Sequence, residues 1–346
     1  MRRALLLASL LAACTDGSSA STTTTTESTG PAGSSGMSEG TAEPGTTSAA
    51  QTGGTEPSPT TSASTGGTSG PSTATDTGDV STSDASTAGS TGDGTTGEPL
   101  GGCGKDPGVV PATPQMIMVE GAAREYILAL PPGYDPNKQY PLVFAWHGRG
   151  GDGALARLYF KIEEASQGAA IFVYPYGLPL ADMQNQTGWD LDPANEDFAF
   201  FDALLADLNG RLCVDQQRIF STGHSFGGYM SNQLGCYRGD VLRAIGLVAG
   251  GGPFGVCSGQ VAAWLAHGTV DQVVPYTEGT KSHDHWSGAN NCTGPGPAVD
   301  PAPCVADDGC DADAPVVWCS HSEPDFSGHG WPSWAAAGIW GFFAGL

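Results

Sequence analysis

Basic side chains are scarce in this chain: 13 Lys and Arg stand against 36 Asp and Glu over 346 residues, a formal net charge of -23. So acidic a surface repels phosphate backbones, which excludes nucleic acid as a partner. Zinc-type cysteine spacing is missing as well, because no two of the nine cysteines stand in a C-x-x-C interval. There is no P-loop and no internal repeat, and no cofactor is expected. No apolar run is long enough for a permanent membrane span. From Thr15 to Leu100 there is no lysine, arginine or aromatic residue, and the segment is dominated by Ser, Thr, Gly, Pro and Ala with scattered acids. That composition cannot bury enough apolar surface to offset the entropy of ordering its backbone, so residues 15–100 are expected to form a disordered stalk.

The segments on either side of this stalk are different. Residues 1–14, MRRALLLASLLAAC, join two arginines to a short apolar run and small residues, the layout of an export signal. Leu11, Ala12, Ala13 and Cys14 have the form of a bacterial lipobox. Cleavage before Cys14 and lipidation of its thiol are expected, which makes the protein extracytoplasmic and limits membrane contact to that anchor. Residues 101–346 have the length of one α/β domain, expected to be monomeric. The remaining cysteines, Cys103, Cys213, Cys236, Cys257, Cys292, Cys304, Cys310 and Cys319, are even in number. In an exported chain they read as disulfides whose pairing the sequence leaves open.

Within the domain, Arg124 to Pro131 alternates as an early edge strand would, while Tyr140 to Gly148 and Ala169 to Gly177 are near-continuous apolar runs of the kind buried on both faces of a parallel sheet. Helical spacing of apolar residues predicts helices over Gly153 to Gly168 and Glu196 to Leu212. Strand and helix then alternate: Arg218 to Ser225, Phe226 to Tyr237, Ala244 to Gly251, Val261 to Thr269, Ala314 to Ser322 and a last helix from Trp334 to Phe343. The order implies a mostly parallel, doubly wound α/β sheet with helices on both faces and functional loops at the carboxyl ends of its strands.

The chemistry is concentrated in such loops. Ser225, with glycines at 223, 227 and 228, lies between an apolar strand and a helix, where a nucleophile turn needs small neighbours. A hydroxyl is a poor nucleophile near neutral pH, so it needs an imidazole and a carboxylate behind it. Asp271 follows the strand from Val261, and His329 occupies a glycine-flanked loop before the last helix, with His321 as the substitute. Asp197, Asp202 and Asp207 precede Ser225 on a helix and read as cap or exposed-face residues. His224 reads as packing, and His283 and His285 receive no function. The backbone N–H groups of Phe226 and of Arg149, in the turn HGRGGDG, are the expected oxyanion donors. Tyr174, Tyr176, Trp189 and Trp331 are aromatic candidates for a substrate pocket.

Taken together, GCGK at 102–105, REYILALP, HGRGG, IFVYPYGL, LCVDQQRIFSTGHSFGGYMS, HGTVDQVVPY, NNC at 290–292 and GHGWP at 328–332 resemble the feruloyl esterase and polyhydroxybutyrate-depolymerase-like carbohydrate esterases. The resemblance implies a disulfide-stapled α/β-hydrolase fold, Ser225, Asp271 and His329 as a triad, no metal, and an ester in a polysaccharide or polyester as substrate. The region of Cys304 and Cys310 and the proline-rich loop after Cys292 match this pattern poorly. A feruloyl or acetyl esterase of plant-type polysaccharide leads the readings. A poly(3-hydroxybutyrate) depolymerase and a non-catalytic wall-binding lipoprotein are the alternatives.

Overall fold

Apolar runs without polar alternation are stable only when covered on both sides, and those of this chain lie side by side at the centre of one sheet. The computed structural model describes residues 101–346; the expectations for 1–14, including Cys14, and for the stalk at 15–100 lie outside the described residues. In chain order the elements are β1 (Gln115–Val119), β2 (Ala122–Ala129), β3 (Tyr140–Trp146), α1 (Gly153–Phe160), α2 (Ile162–Ser166), β4 (Ile171–Pro175), β5 (Leu178–Leu180), β6 (Gln186–Gly188) and α3 (Glu196–Arg211). They continue as β7 (Val214–His224), α4 (Phe226–Tyr237), β8 (Ala244–Val248), β9 (Ala262–Gly268), α5 (Tyr276–Ala289), β10 (Gly294–Ala298), β11 (Cys304–Asp308), β12 (Val316–His321) and α6 (Ala335–Ala344).

The main sheet has the order β1-β2-β4-β3-β7-β8-β9-β12-β11-β10. Strands β4, β3, β7, β8, β9 and β12 run parallel, and antiparallel strands extend both flanks. One face is covered by α3, α4 and α5 through Phe201, Leu204, Met230, Leu234 and Trp286. The other is covered by α1, α2 and α6 through Phe160, Ile162, Ile339 and Phe343. The expected α/β architecture is therefore present, with β7 near its middle.

Three local expectations need correction. The strand beginning at Arg124 is not an edge: β1 pairs outside it, and Met116 and Met118 of β1 carry the exposed side at 59% and 63%. The single helix expected over 153–168 is two, because Lys161 takes φ +53° and redirects the chain so that Ile162 enters the core. Apolar spacing is the same on both sides of that break, which hides it from the sequence. Finally, Asp197 is neither a cap nor exposed. It pairs with the buried Arg124, whose guanidinium lies 4.2 Å over the Phe200 ring, and it accepts from the Asp190 amide. Burial pushes its carboxyl above the usual range, with Arg124 opposing that push. Asp202 and Asp207 do pair at the surface, with Arg238 and Arg211.

All eight domain cysteines are bridged, Cys103–Cys213, Cys236–Cys257, Cys292–Cys310 and Cys304–Cys319. The last two brace β10 and β11, short strands that bury little apolar surface of their own. Among the described residues no helix is long and apolar enough to cross a membrane.

Candidate active site

Ser225 sits in the turn between β7 and α4 with φ +56° and ψ -121°, a conformation that side chains rarely hold. The flanking glycines explain how it is tolerated. A Cβ at Gly223 would collide with the Gly227 carbonyl, and one at Gly227 with the carbonyl of Trp146 at the end of β3. Strand and helix therefore approach at backbone distance and force the serine outward.

The structure brings Asp271 and His329 to this hydroxyl. Asp271 follows β9, and its Oδ1 accepts from the amides of Val273 and Val274 at 2.8 and 2.9 Å, which fixes the carboxylate plane. Its Oδ2 accepts from His329 Nδ1–H at 2.7 Å. The other ring nitrogen, Nε2, then has its lone pair free and accepts from Ser225 Oγ–H at 2.8 Å. Two further imidazoles support the arrangement. His267 donates to the Val274 carbonyl at 3.0 Å and lies 3.4 Å from Asp271 Oδ2, while His224 donates to the backbone carbonyl of His329 at 2.7 Å. His321, the substitute, closes β12 beside Trp334 and forms no hydrogen bond to Ser225 or Asp271 among the described residues. His283 bonds Asp307 and His285 meets Cys257, so both serve the packing around α5.

Beside the hydroxyl lies the turn after β3. Gly148 passes so near Ser225 that a Cβ there would meet the serine Cβ at 3.4 Å. His147 sets the orientation of this turn, a role the sequence did not disclose. Its Nε2 accepts from the Gly177 amide at 2.9 Å, so the ring proton resides on Nδ1 and is donated to the Gly148 carbonyl at 2.8 Å. Gly151 donates to the same carbonyl. Because the C=O of Gly148 and the N–H of Arg149 share one peptide plane and point oppositely, tying down the first aims the second. The turn is latched from the far side by β6, where Gly150 donates to the Thr187 carbonyl and Thr187 Oγ1 donates to the Gly151 carbonyl. Neither the Arg149 nor the Phe226 amide has an acceptor among the described residues.

A cavity of about 330 Å³ opens next to these groups, lined by His147 to Gly151, Leu155, Ala156, Tyr159, Phe160, His224, Phe326 and His329. The aromatic pocket expected from the sequence is not the one found. Tyr174 and Trp189 are buried core residues, and Trp189 supports the turn from behind by donating to the His147 carbonyl. Trp331 stacks on Phe160, and Tyr176 packs against Gly153; neither lines the cavity. Two larger grooves, of about 480 and 510 Å³, lie around Gln216, Val241 and Asp313 and around Ile127 and Arg157, away from Ser225.

Burial lowers the pKa of His147 and His267, and it lowers His224 to about 3, with the neighbouring His329 adding to the effect. Burial thus favours the neutral form of all three in the folded protein, and each binds a proton more readily on unfolding, where an imidazole titrates near ~6.5. As pH drops the unfolded chain thus binds more protons, so stability is fully present above about 6.5 and is lost as pH falls toward about 3. We expect the thermal midpoint at pH 5 to lie several degrees below that at pH 7.5 at fixed ionic strength. A midpoint that rises on acidification would contradict neutral buried imidazoles.

A scan against protein-family models finds no match. The chain is 36% identical over 199 residues to a probable feruloyl esterase C of Aspergillus niger, covering 55% of this chain and 69% of the relative. It is 32% identical over 242 residues to a feruloyl esterase D of Neurospora crassa, covering 64% and 81% respectively. Among solved structures, an acetyl xylan esterase from Aspergillus awamori is similar with a TM-score of 0.51 at 12% identity, covering 66% of this chain and 99% of that one, a likeness of fold. Identity maintained over most of both relatives establishes that the chain belongs to the feruloyl esterase family of carboxylic ester hydrolases, with the α/β-hydrolase fold.

Proposed function

We propose that residues 101–346 form a serine carboxylesterase that releases feruloyl or acetyl groups from plant-type polysaccharide through an acyl-enzyme. The observation that carries this reading is the hydrogen-bonded relay from Ser225 Oγ through both nitrogens of His329 to Asp271. In the first half-reaction His329 Nε2 takes the Ser225 proton as Oγ attacks the ester carbonyl. The imidazolium so formed is held by Asp271. The oxyanion lies against the amides of Phe226 and Arg149, each such donor contributing roughly a hundredfold to a thousandfold in rate. Collapse expels the sugar hydroxyl, which takes its proton from Nε2, and a water molecule then repeats the sequence to free the acid. In this reading residues 1–100 export the enzyme and tether it outside the cytoplasm.

The purified protein is expected to turn over methyl ferulate and acetylated xylan. Turnover of hydroxybutyrate oligomers alone would replace polysaccharide by polyester as the substrate class. A folded protein that cleaves no ester would instead be a wall-binding lipoprotein.

A further inference from the structure

Phe326 stands three residues before His329 and is 76% exposed, an apolar ring left in water at the edge of the cavity. One exposed hydrophobic residue is ordinary on a protein surface. Its backbone is not. Phe326 takes φ +49° and Ser327 takes φ +60°, two consecutive non-glycine residues in the left-handed region, which opposes folding at both positions. The conformation is over-determined by neighbours on both loops of the proposed triad. Gln272 donates to the Ser327 carbonyl at 3.1 Å, His329 to the Phe326 carbonyl at 3.2 Å and Gly330 to the Asp325 carbonyl at 3.0 Å. The loop that places the imidazole therefore also fixes the backbone that carries the Phe326 ring.

The same cavity is lined from α1 by Leu155, itself 54% exposed, together with Tyr159 and Phe160. The part of the lining made by α1 and Phe326 is thus apolar, and Tyr159 gives it a polar handle. Tyr159 Oη accepts from the Trp331 amide at 2.6 Å, which leaves its own proton to donate to a ligand oxygen. A volume of about 330 Å³ lies at the low end of ordinary ligand pockets, suited to one planar ring and its linker.

We propose that Phe326 determines acyl-group specificity: its ring and Leu155 form walls that take a hydroxycinnamoyl ring between them, with the Tyr159 hydroxyl reaching an oxygen on that ring. This rests on the esterase reading above. An acetyl group is too short to extend between these walls, so the two ester classes respond differently to their removal.

The test measures kcat/KM of the full chain for methyl ferulate and for p-nitrophenyl acetate and compares their ratio. Phe326→Ala is expected to lower the ferulate-to-acetate ratio about tenfold, mainly through KM for ferulate, the loss typical of one aromatic contact. Leu155→Ala should move the ratio in the same direction, and Phe326→Tyr should restore it to within about twofold of the parent. If both alanine variants keep the parent ratio, the proposal is overturned while the esterase reading stands. A parent protein that cleaves the acetate but not methyl ferulate overturns the proposal and the feruloyl assignment together, and leaves an esterase of small acyl groups.

Discussion

Replacing Ser225 by alanine is expected to lower kcat for ester hydrolysis by about five to six orders of magnitude, the scale reached when the serine of a triad is deleted. The change removes one oxygen and little else. Alanine keeps the Cβ, so the left-handed backbone at position 225 is neither relieved nor worsened, and the packing of Gly223 and Gly227 around it is untouched. The variant should therefore unfold near the parent temperature while losing reaction with a fluorophosphonate probe. Adding His329→Ala should cost little more, because an imidazole without its hydroxyl partner has no proton to accept. Undiminished labelling of the Ser225→Ala variant would place the nucleophile elsewhere.

Asp271→Asn should lower kcat by about ten-thousandfold through the proton on His329 rather than through any change of shape. The amides of Val273 and Val274 both point at Oδ1, so the asparagine carbonyl must take that place. Its NH₂ group is then left facing His329 Nδ1, where the carboxylate oxygen had accepted. Two donors cannot face each other, so the ring moves its proton to Nε2 and no longer accepts from Ser225. Flipping the amide would instead set its NH₂ group against the two backbone donors, Val273 and Val274, so the unflipped orientation is expected to persist. A variant with near-parental kcat would mean that Asp271 does not set the tautomer.

Much of this architecture was legible because the determining features are local. The glycines around Ser225 mark a close strand-to-helix approach, and α4 occupies the expected span from Phe226 to Tyr237. Chain order and loop position point to Asp271 and, with His321 as the substitute, to His329, each in a loop after an apolar strand. What was illegible depended on direction or on distant partners. Trp189 is an aromatic near the site in sequence terms, yet its ring is buried in the core, whereas Phe326 lies in a loop with no periodicity to identify it. The tautomer of His147 is set by an amide thirty residues away. Strands β10 and β11, reading GPGPA and CVADD, have the composition of a loop and become strands only by pairing next to β12.

That flank has a further consequence for resistance to proteolysis. A cut anywhere from 305 to 309 would separate a piece carrying Cys292 and Cys304 from one carrying Cys310 and Cys319, and each of these cysteines is bridged to one on the other side of the cut. The nicked chain would remain a single covalent molecule, with the strand that leads to His329 still fastened in place, so wear at this corner need not end the working life of the catalyst.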